Sequence, residues 1–535
     1  MHPARTLRLA GLGAYRRLEH TFDRPFGAAF NPWRHLGALA FLMFWLLAVS
    51  GIYLYAVLDT SADGAYRSID ELSRQQWWLG GVLRSLHRYA ADGFVGVMAA
   101  HLLRELLFGH YAAFRRFSWW TGVPLLGFAF VCAIGGFWLN WDQLGQFSAQ
   151  ATAEWIDALP LLAAPLTRNF INVAAVSDRL FSLFVFVHIG VPLLLVFALW
   201  FHIQRISHAA VFPPRALALG TLASLLALAL AAPVLSHAPA DLSIEPGTLS
   251  LDWILLLVHP LGDAVGHGVV WALLGSVLAW LLLLPWLPQH APKMAAPGAE
   301  STPHPGALAP VAVVEPANCN GCRRCFDDCP YGAVTMVPHP DKRLRQMAQV
   351  DADLCASCGI CVGACPSSTP FRSAAELVTG IDMPSAPIGL LRQRLQRGLA
   401  AMDPKALRLV VFGCDHGAQV AALAAPDVAV FSLMCTGQLP PSFVEYALRD
   451  GADGVLVTGC QGTGCEFRLG QLWTADRLAG RREPHLRGRV PRERIALASA
   501  DPGQEAVLKA ALERLQQRIH RANAAVILTG ERAHG

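Results

Sequence analysis

The fold is decided by two similar stretches, RSLHRYAADGFVGVMAAHLLR at residues 84–104 and HIGVPLLLVFALWFH at residues 188–202. Each stretch lies in a hydrophobic segment that is long enough to cross a bilayer. Each also carries two histidines fourteen residues apart, which are His87 and His101 in the first stretch and His188 and His202 in the second. Fourteen residues are nearly four helical turns, so the histidines of each stretch lie near one face of a helix, about 21 Å apart.

These four histidines predict a pair of metal sites inside a membrane. An ionisable residue within a membrane span is costly and rare, so it indicates a function. If the two helices run parallel, His87 faces His188 and His101 faces His202. Two facing imidazoles are the axial ligands that a six-coordinate haem iron needs. The alternative is that each histidine is an interior residue that is hydrogen-bonded to a neighbouring helix.

The composition favours a membrane protein with soluble parts. Of the 535 residues, 54% are hydrophobic and only 15% are charged, and the mean hydropathy is +0.38. Such a chain is too apolar for an ordinary soluble protein. The formal net charge of +4 says little by itself, and we expect no nucleic-acid partner. Residues 1–35 contain six arginines and no apolar core, so we expect no cleavable signal peptide and a cytosolic N-terminal segment over residues 1–30.

The membrane part is predicted to be an all-α transmembrane bundle of six spans. The spans cover residues 36–57, 80–107, 119–139, 180–203, 215–236 and 264–287. The N-terminal segment and the connections on its side hold eleven arginines, whereas the longer loops on the opposite side hold four. The positive-inside rule therefore predicts a multi-pass protein of a bacterial-type inner membrane, embedded in lipid with both termini in the cytosol.

Glycines and arginines near the histidines also suit haem. Glycines recur at the fourteen-residue interval on the first and third predicted spans, as Gly37 with Gly51 and Gly122 with Gly136. Glycine lets a flat macrocycle approach the backbone, although it also serves close packing of membrane helices. Arg84 and Arg104 lie near the two histidines of one helix. They are suited to pair with haem propionates, or alternatively to extend toward the membrane interface.

Residues 31–287 resemble cytochrome b of the respiratory bc and chloroplast bf complexes. The matching features are R-x-x-H at 84–87, H-x-x-R at 101–104, the two glycine pairs, Pro192 and the run GFWLNWDQ at 136–143. The resemblance implies a di-haem membrane domain with two b-type haems, one near each membrane face. It also implies quinone or quinol as a substrate at one or both faces and, by analogy, a homodimer.

In the cytochrome b family, the outer quinol site uses a Pro-Glu-Trp-Tyr motif. The corresponding place in this chain reads Ser-Leu-Asp-Trp-Ile at residues 250–254, without the flanking proline and tyrosine. The resemblance implies that Asp252 accepts a quinol proton, and the alternative is an ordinary interfacial Asp-Trp pair. His259 and His267 follow closely and either serve a quinone site or face a polar cavity.

The cysteines predict metal sites in the C-terminal half. Twelve of the 13 cysteines follow residue 318, mostly in short C-x-x-C patterns, which in a cytosolic compartment indicate metal binding rather than disulfides. The remaining one, Cys132, is interpreted as a small packing residue in the third span. A linker rich in proline and alanine, residues 288–312, separates the membrane part from these cysteines.

Residues 313–372 are predicted to form a small α+β ferredoxin domain. The runs CNGCRRCFDDCP at 319–330 and CASCGICVGACP at 355–366 follow the C-x2-C-x2-C-x3-C-P pattern of bacterial ferredoxins, in which the fourth cysteine binds the other cluster. The sequence therefore predicts two [4Fe–4S] clusters. The ligands of the first are Cys319, Cys322, Cys325 and Cys365, and those of the second are Cys355, Cys358, Cys361 and Cys329. The alternative for four cysteines is a zinc site.

After a connector at 373–404, residues 405–535 are predicted to form an α/β domain with a parallel sheet. Apolar runs such as RLVVFGC and GVLVTGC alternate with helical patterns. The remaining cysteines lie at or after the ends of the predicted strands, as Cys414, Cys435, Cys460 and Cys465. Sites in open α/β sheets gather at that edge, so these cysteines predict one [2Fe–2S] cluster. The alternative is buried structural cysteines with a redox dithiol.

The stretch at about 407–480 resembles the delta subunit of methyl-viologen-reducing hydrogenase, an iron–sulfur electron-transfer partner of heterodisulfide reductases. The resemblance rests on Met434-Cys435, on FVEYALRDGADGVLVTGC at 443–460 and on the spaced Cys465. It implies a cytosolic redox partner, which is a flavoprotein or an iron–sulfur oxidoreductase of the heterodisulfide-reductase kind.

Together these features predict a multidomain protein that transfers electrons between the quinone pool and a cytosolic partner. The sequence contains no G-x-G-x-x-G fingerprint and no hydrogenase metal motif, so the partner is expected to carry the two-electron chemistry. Two other functions are left open. One is a redox sensor of quinone state without net turnover, and the other is reduction of a disulfide-like substrate by the C-terminal domain.

Overall fold

The chain folds into two compact units, seen here in a computed structural model. The structure describes residues 3–159, 176–204, 209–244, 247–287, 310–372, 376–461 and 464–532. The described residues up to 287 form a helical unit, and those from 310 onward form a cysteine-rich unit. Most of the predicted linker, residues 288–309, lies outside the described residues.

Within its described residues, the helical unit contains ten α-helices. They are α1 (Pro3–Phe26), α2 (Leu36–Val57), α3 (Ala65–Gln75), α4 (Val82–Phe108), α5 (Arg116–Asn140), α6 (Gln143–Asp157), α7 (Asp178–Gln204), α8 (Arg215–Ala231), α9 (Val258–Val265) and α10 (His267–Leu283). Helix α2 packs along α4, and α5 packs along α7. A shared apolar core includes Phe44, Phe94, Leu125 and Leu195, so each histidine helix lies against one of the helices that carry the glycine pairs.

Four of the described helices are long and apolar enough to cross a membrane by length and composition. They are Leu36–Val57, Arg116–Asn140, Asp178–Gln204 and His267–Trp286. Helix α4 is also long enough, but it carries three arginines and two acidic residues, which lower its hydropathy. Helix α8 is apolar but has 17 residues, fewer than the roughly 20 that span a bilayer without thinning it. The count of six spans stays a prediction.

The cysteine-rich unit mixes short helices with two kinds of sheet. Its helices are α11 (Arg324–Asp328), α12 (Ile360–Ala364), α13 (Ile388–Ala400), α14 (Pro441–Arg449), α15 (Gly470–Leu478) and α16 (Glu505–Arg532). Its strands are β1 (Val313–Val314), β2 (Val334–Pro338), β3 (Gln346–Val350), β4 (Ile381–Asp382), β5 (Leu409–Cys414), β6 (Val428–Leu433), β7 (Gly454–Gly459) and β8 (Ile495–Ser499).

The first part of this unit holds two antiparallel strand pairs, β1 with β4 and β2 with β3. Each cysteine run winds tightly and then enters a one-turn helix. Gly321 and Gly359 allow this winding because their φ angles are +70° and +73°, in the left-handed region that favours glycine. The strand pairs and the helices α11 and α12 thus place the two runs side by side.

The second part contains a four-stranded parallel sheet in the order β6-β5-β7-β8. Strands β5 and β7 are buried along their whole length, as expected for central strands with continuous apolar runs. Alternate residues of β5 face opposite layers. Val411 packs in the core that contains α16 residues such as Leu515, whereas Phe412 packs in the core that contains Leu395 of α13. The parallel sheet predicted from the sequence is therefore observed.

The two parts of the cysteine-rich unit share one apolar core. Val334 and Val362 of the first part belong to the same buried cluster as Phe412 and Val457 of the sheet. Helix α13, which lies within the predicted connector, contributes Leu391, Leu395 and Leu399 to that cluster. The predicted connector is thus a packed layer of this unit in the described residues.

Candidate redox-cofactor sites

The histidines of α4 and α7 meet in pairs. The ring centroids of His87 and His188 are 6.3 Å apart, and their planes cross at 64°. Imidazole–metal bonds are about 2 Å long, so an ion shared by two rings separates the centroids by roughly 6 Å. His101 and His202 lie fourteen residues further along the same two helices, near enough for their charges to interact. The structure thus brings the rings of His87 and His188 together and places His101 and His202 near each other.

Three of these rings are oriented by hydrogen bonds between their Nδ1 atoms and groups on neighbouring helices. Nδ1 of His87 is 2.9 Å from Ser50 Oγ, and Nδ1 of His202 is 3.0 Å from Thr121 Oγ1. Both hydroxyls donate their own hydrogens to carbonyls one turn earlier, so they accept from the imidazoles. Nδ1 of His188 donates to the carbonyl of Cys132 at 2.9 Å.

This arrangement determines which ring nitrogen is available to a metal. A carbonyl oxygen can only accept, so Nδ1 of His188 carries the proton and Nε2 keeps its lone pair. Ordering of a ligand histidine through its other nitrogen is typical of metal sites. Sequence reasoning missed Ser50 and Thr121. A usable signal was present, because each of them immediately precedes one of the paired glycines, Gly51 and Gly122.

Each of the four predicted glycines lies against one of the four histidines. A Cβ atom added at the glycine would meet the histidine Cε1 atom at 3.4 Å for Gly37 and His101, 3.1 Å for Gly51 and His87, 3.0 Å for Gly122 and His202, and 2.9 Å for Gly136 and His188. In this structure the glycines therefore make room for the imidazoles themselves, beside the role of admitting a macrocycle that the sequence suggested.

Replacement of Gly136 by alanine is expected to displace the ring of His188 and to weaken retention of one haem. Forcing a methyl group into a packed interior typically costs about 1–3 kcal/mol. Gly127 is a matched control, because it lies on the same helix and an added Cβ would meet nothing within 4 Å. Haem per protein by pyridine haemochrome, before and after detergent washing, measures the effect. Equal loss in the two variants would contradict the steric explanation.

The two predicted arginines are buried, with exposed fractions of 9% for Arg84 and 7% for Arg104. Arg84 donates to Ser73 Oγ at 2.6 Å and to Asn140 Oδ1 at 3.0 Å. Arg104 pairs with Glu19 at 3.1 Å, yet its Nη2 atom is buried without a hydrogen-bond partner among the described residues. An unmatched buried N–H of this kind fits an anionic group such as a haem propionate.

The ferredoxin-type cysteines gather into two cradles. One pocket is lined by Cys319, Cys322, Cys325 and Cys365. A second pocket is lined by Cys329, Cys355, Cys358 and Cys361. The structure thus brings together the same two sets as the crossed pattern, in which the fourth cysteine of each run joins the other run. We call them cradle one and cradle two.

The cradles favour a bound cation. Burial raises the pKa of the Cys325 and Cys358 thiols to about 12, so these thiols hold their protons at neutral pH. A metal ion reverses this preference and displaces the protons. Backbone N–H groups point at the sulfur atoms, as in the 3.3 Å hydrogen bond from Ala333 to Cys329, and stabilise thiolates. The donor set therefore fits iron–sulfur clusters.

The last four cysteines form a third site at the carboxyl edge of the parallel sheet. Sγ of Cys414 lies 3.7 Å from Sγ of Cys460, and both Cys435 and Cys460 contact Cys414 and Cys465 through their side chains. All four are between 1% and 5% exposed. Hydrogen bonds from the Cys435 and Cys460 thiols lower the pKa of Cys414. We call this group the four-cysteine site.

Three family models match this chain, in the order that the motifs predict. The cytochrome b/b6/petB model matches residues 21–210, the 4Fe-4S dicluster domain model matches residues 318–369, and the model of the methyl-viologen-reducing hydrogenase delta subunit matches residues 409–522. The chain joins a cytochrome b segment to two iron–sulfur segments. All three predicted resemblances are confirmed. A cytochrome b segment implies haem b, and a dicluster segment implies iron–sulfur clusters.

Curated cytochromes b are similar to the N-terminal part of the chain. Cytochrome b of Allochromatium vinosum is 28% identical over 178 residues, which are 33% of this chain and 43% of that protein. Cytochrome b of Oryza sativa subsp. indica is 26% identical over 190 residues, 35% of this chain and 47% of that protein. The chain thus spans less than half the length of these relatives.

A solved structure described as a hyperthermophilic respiratory Complex III is similar to part of the chain. The two share 19% identity, with a TM-score of 0.40, over 48% of this chain and 75% of that chain.

Asp252 lies after residues 21–210, which the cytochrome b model matches, and its carboxylate already has partners. Its carboxylate forms an ion pair with Arg88, the residue after His87, and accepts the N–H groups of Ile254 and Leu255 at 2.8 and 2.7 Å. The neighbouring Trp253 is exposed. The structure therefore connects Asp252 to the helix that carries His87, while its role as a proton acceptor stays a prediction.

Trp155, His259 and His267 lie on three helices that pack together, α6, α9 and α10. Nδ1 of each histidine and Nε1 of Trp155 are buried without a hydrogen-bond partner in the part of the chain that the structure describes. Nε2 of His259 lies 3.4 Å from Thr152 Oγ1, and the ring of Trp155 stacks on Trp271 at 4.2 Å. Buried polar atoms are usually paired, so these three side chains have unused hydrogen-bonding capacity among the described residues.

Proposed function

We propose that this chain is a membrane-bound oxidoreductase subunit that connects the quinone pool to a cytosolic redox partner. Two b-type haems, two [4Fe–4S] clusters and one [2Fe–2S] cluster supply one-electron transfer when bound. The observation that carries the proposal is that one polypeptide holds two intramembrane histidine pairs, of which His87 and His188 have the 6.3 Å separation of a shared metal, and three groups of four cysteines.

The helical unit supplies the haem sites in this proposal. His87 with His188 and His101 with His202 would hold the two haem irons. Neighbouring helices hold the rings, as Ser50 and the Cys132 carbonyl do for the first pair. The Arg104 N–H that has no partner among the described residues would bind a propionate. Residues 31–287 form the di-haem membrane domain of an inner-membrane protein, with six spans and both termini in the cytosol, because arginines concentrate on that side.

The cysteine-rich unit supplies the cytosolic end of the chain of cofactors. Cradles one and two hold the [4Fe–4S] clusters, and the four-cysteine site holds the [2Fe–2S] cluster. The partner is a flavoprotein or an iron–sulfur oxidoreductase of the heterodisulfide-reductase kind. Support comes from the match to a hydrogenase delta subunit and from the lack of a dinucleotide fingerprint in this sequence.

We place a quinol-binding site between the helices α6, α9 and α10, at Trp155, His259 and His267. Burial lowers the pKa of His259 to about 4, so its imidazole is neutral at physiological pH and can accept a hydrogen bond from a quinol hydroxyl. The indole N–H of Trp155, which has no hydrogen-bond partner among the described residues, can donate to a quinone oxygen. Asp252 then holds Arg88 beside His87, and it takes the proton only if that ion pair opens.

This part of the proposal predicts that a short-chain quinol, added anaerobically to purified protein, reduces the b-type haem. Replacement of His259 by phenylalanine is expected to slow this reduction about a hundredfold, at the low end of what a positioned proton acceptor contributes. Stopped-flow absorbance in the haem α-band measures the rate, and the dithionite-reduced spectrum should be unchanged.

His237→Phe is the matched control, since His237 lies in a loop of the same unit and its replacement should leave the rate unaltered. If quinol leaves the haem of the unmodified protein oxidised, the quinone link is wrong. If quinol reduces both variants at the normal rate, the link stands and the site lies elsewhere.

The two other functions that the sequence left open are separated by simple observations. Direct reduction of a disulfide-like substrate needs an accessible thiol, whereas all members of the four-cysteine site are at most 5% exposed. A sensor without turnover is excluded if purified protein passes electrons in a steady state from quinol to a soluble acceptor. We therefore retain electron transfer as the proposed function.

A further inference from the structure

Cradle two and the four-cysteine site lie on either side of one side chain, that of Ile360. Ile360 immediately precedes the cradle residue Cys361 and is fully buried. A Cβ atom added at Gly470 would meet both Cys435 Sγ and, at 3.6 Å, Ile360 Cδ1. A Cβ atom added at Gly437 would meet Ile360 Cγ1 at 2.7 Å. The backbone beside Cys435 and the helix that carries Cys361 are therefore in direct contact.

A single buried guanidinium joins the chain segments that carry these cysteines. Arg477 is 0% exposed. Its Nη1 atom donates to the carbonyl of Gly437 at 2.9 Å, two residues after Cys435. Its Nη2 atom donates to the carbonyl of Ile360 at 3.4 Å and forms an ion pair with Asp328, the residue before Cys329. Arg477 thus contacts residues next to cysteines of both sites.

The charges around Arg477 do not cancel. Asp328 is buried and pairs with Arg477 and also with Arg482, whose Nε atom lies 2.7 Å from it. The side chains of Arg477 and Asp328 are 1% and 4% exposed, whereas that of Arg482 is 23% exposed. The charge of Arg477 is therefore screened much less than a surface charge, and the carboxylate that pairs with it is shared with Arg482. Arg477 thus stabilises negative charge added at either neighbouring site.

We propose that Arg477 couples cradle two to the four-cysteine site, so that this pair is where one electron crosses between the two iron–sulfur segments. The inference rests on the proposed function and deepens it. The electron leaves the group in one site and arrives at the group in the other, and no bond or proton is exchanged. Arg477 is a positioning residue, since it holds both backbones together and raises the reduction potential on both sides.

Cradle one is flanked by a different cation, which offers a matched control. Nζ of Lys342 donates to the carbonyl of Cys319 at 2.9 Å and to that of Ala317 at 3.0 Å. Lys342 and Arg477 therefore each place a positive charge beside the backbone of a cysteine site. Their replacement should affect different sites.

The test is a redox titration of the full-length protein, followed by electron paramagnetic resonance. In Arg477→Met, the midpoint potentials of one [4Fe–4S] cluster and of the [2Fe–2S] cluster should both fall. We expect at least a tenfold change in the reduction equilibrium, which is about 59 mV for one electron. Arg477→Lys should restore most of the shift because it keeps the charge. Lys342→Met should lower the potential of the other [4Fe–4S] cluster alone.

Asp328→Asn keeps the test decisive if Arg477→Met does not fold. It removes a negative charge, so both potentials should rise instead of fall. Unchanged potentials in Arg477→Met with full iron content would overturn the coupling and leave the proposed function standing. So would an equal shift in Arg477→Lys, because it would indicate packing rather than charge. Absence of a [2Fe–2S] signal from unmodified protein would instead contradict the proposed function.

Discussion

Replacing His188 by leucine is expected to remove one of two b-type haems, so that the Soret and α-band absorbance per protein falls by about half, given one haem per histidine pair. The pair with His87 has the centroid separation of a shared metal, and leucine cannot ligate iron. The remaining pair, His101 with His202, occupies another depth of the same helices and should keep its haem. Dithionite-minus-oxidised spectra and haem extraction measure the loss.

Three further variants make this result specific. His202→Leu should remove the other half of the absorbance, and the double variant should be colourless in the Soret region apart from the clusters. His237→Leu, in a loop of the same unit, should retain both haems. Full b-type absorbance after replacement of His188 and His202 together would refute the assignment of the helical unit as a di-haem domain.

The second large effect concerns the cysteines. Cys358→Ala is expected to remove about four of roughly ten cluster irons, and Cys435→Ala about two, since the three sites hold two [4Fe–4S] clusters and one [2Fe–2S] cluster. Both side chains are buried, so water cannot easily take the place of the missing thiolate. Colorimetric iron and acid-labile sulfide determination, each normalised to haem, gives the stoichiometry.

Cys132→Ala serves as the control for this pair of variants. Its thiol lies in the helical unit, 3.7 Å from Nδ1 of His188, while its backbone carbonyl is the acceptor that orients that ring. The alanine variant keeps the carbonyl and should keep both haems and all cluster irons. Loss of iron from Cys132→Ala, or no loss from Cys358→Ala, would be inconsistent with the proposed ligand sets.

Much of the site could be predicted because the ligands follow local spacings. Fourteen residues return a helix to nearly the same face, which indicated the matching histidines on α4 and α7. The parallel sheet followed from its apolar runs, and the position of Cys414, Cys435 and Cys460 at the strand ends followed from the sheet. In each case the relevant residues belong to one regular element or one short run.

The parts that could not be predicted depend on contacts between residues far apart in the chain. Ser50, Thr121 and the Cys132 carbonyl hold imidazoles that lie on other helices. Helix α13, read from the sequence as part of a connector, instead packs its leucines into the core of the sheet. The span count also stayed open, because charged residues on α4 obscure its hydropathy.

By itself, the sequence of this protein determined which side chains are available for metals and the order of the three segments, because the histidine and cysteine spacings are properties of a single helix or loop. Only the tertiary structure decided which ring nitrogens of His87, His188 and His202 are hydrogen-bonded, where the N–H groups of Arg104 and Trp155 that lack partners among the described residues lie, and that Arg477 contacts residues beside two cysteine sites. These depend on the packing of distant elements, where burial removes water and leaves polar groups with the partners that the fold provides.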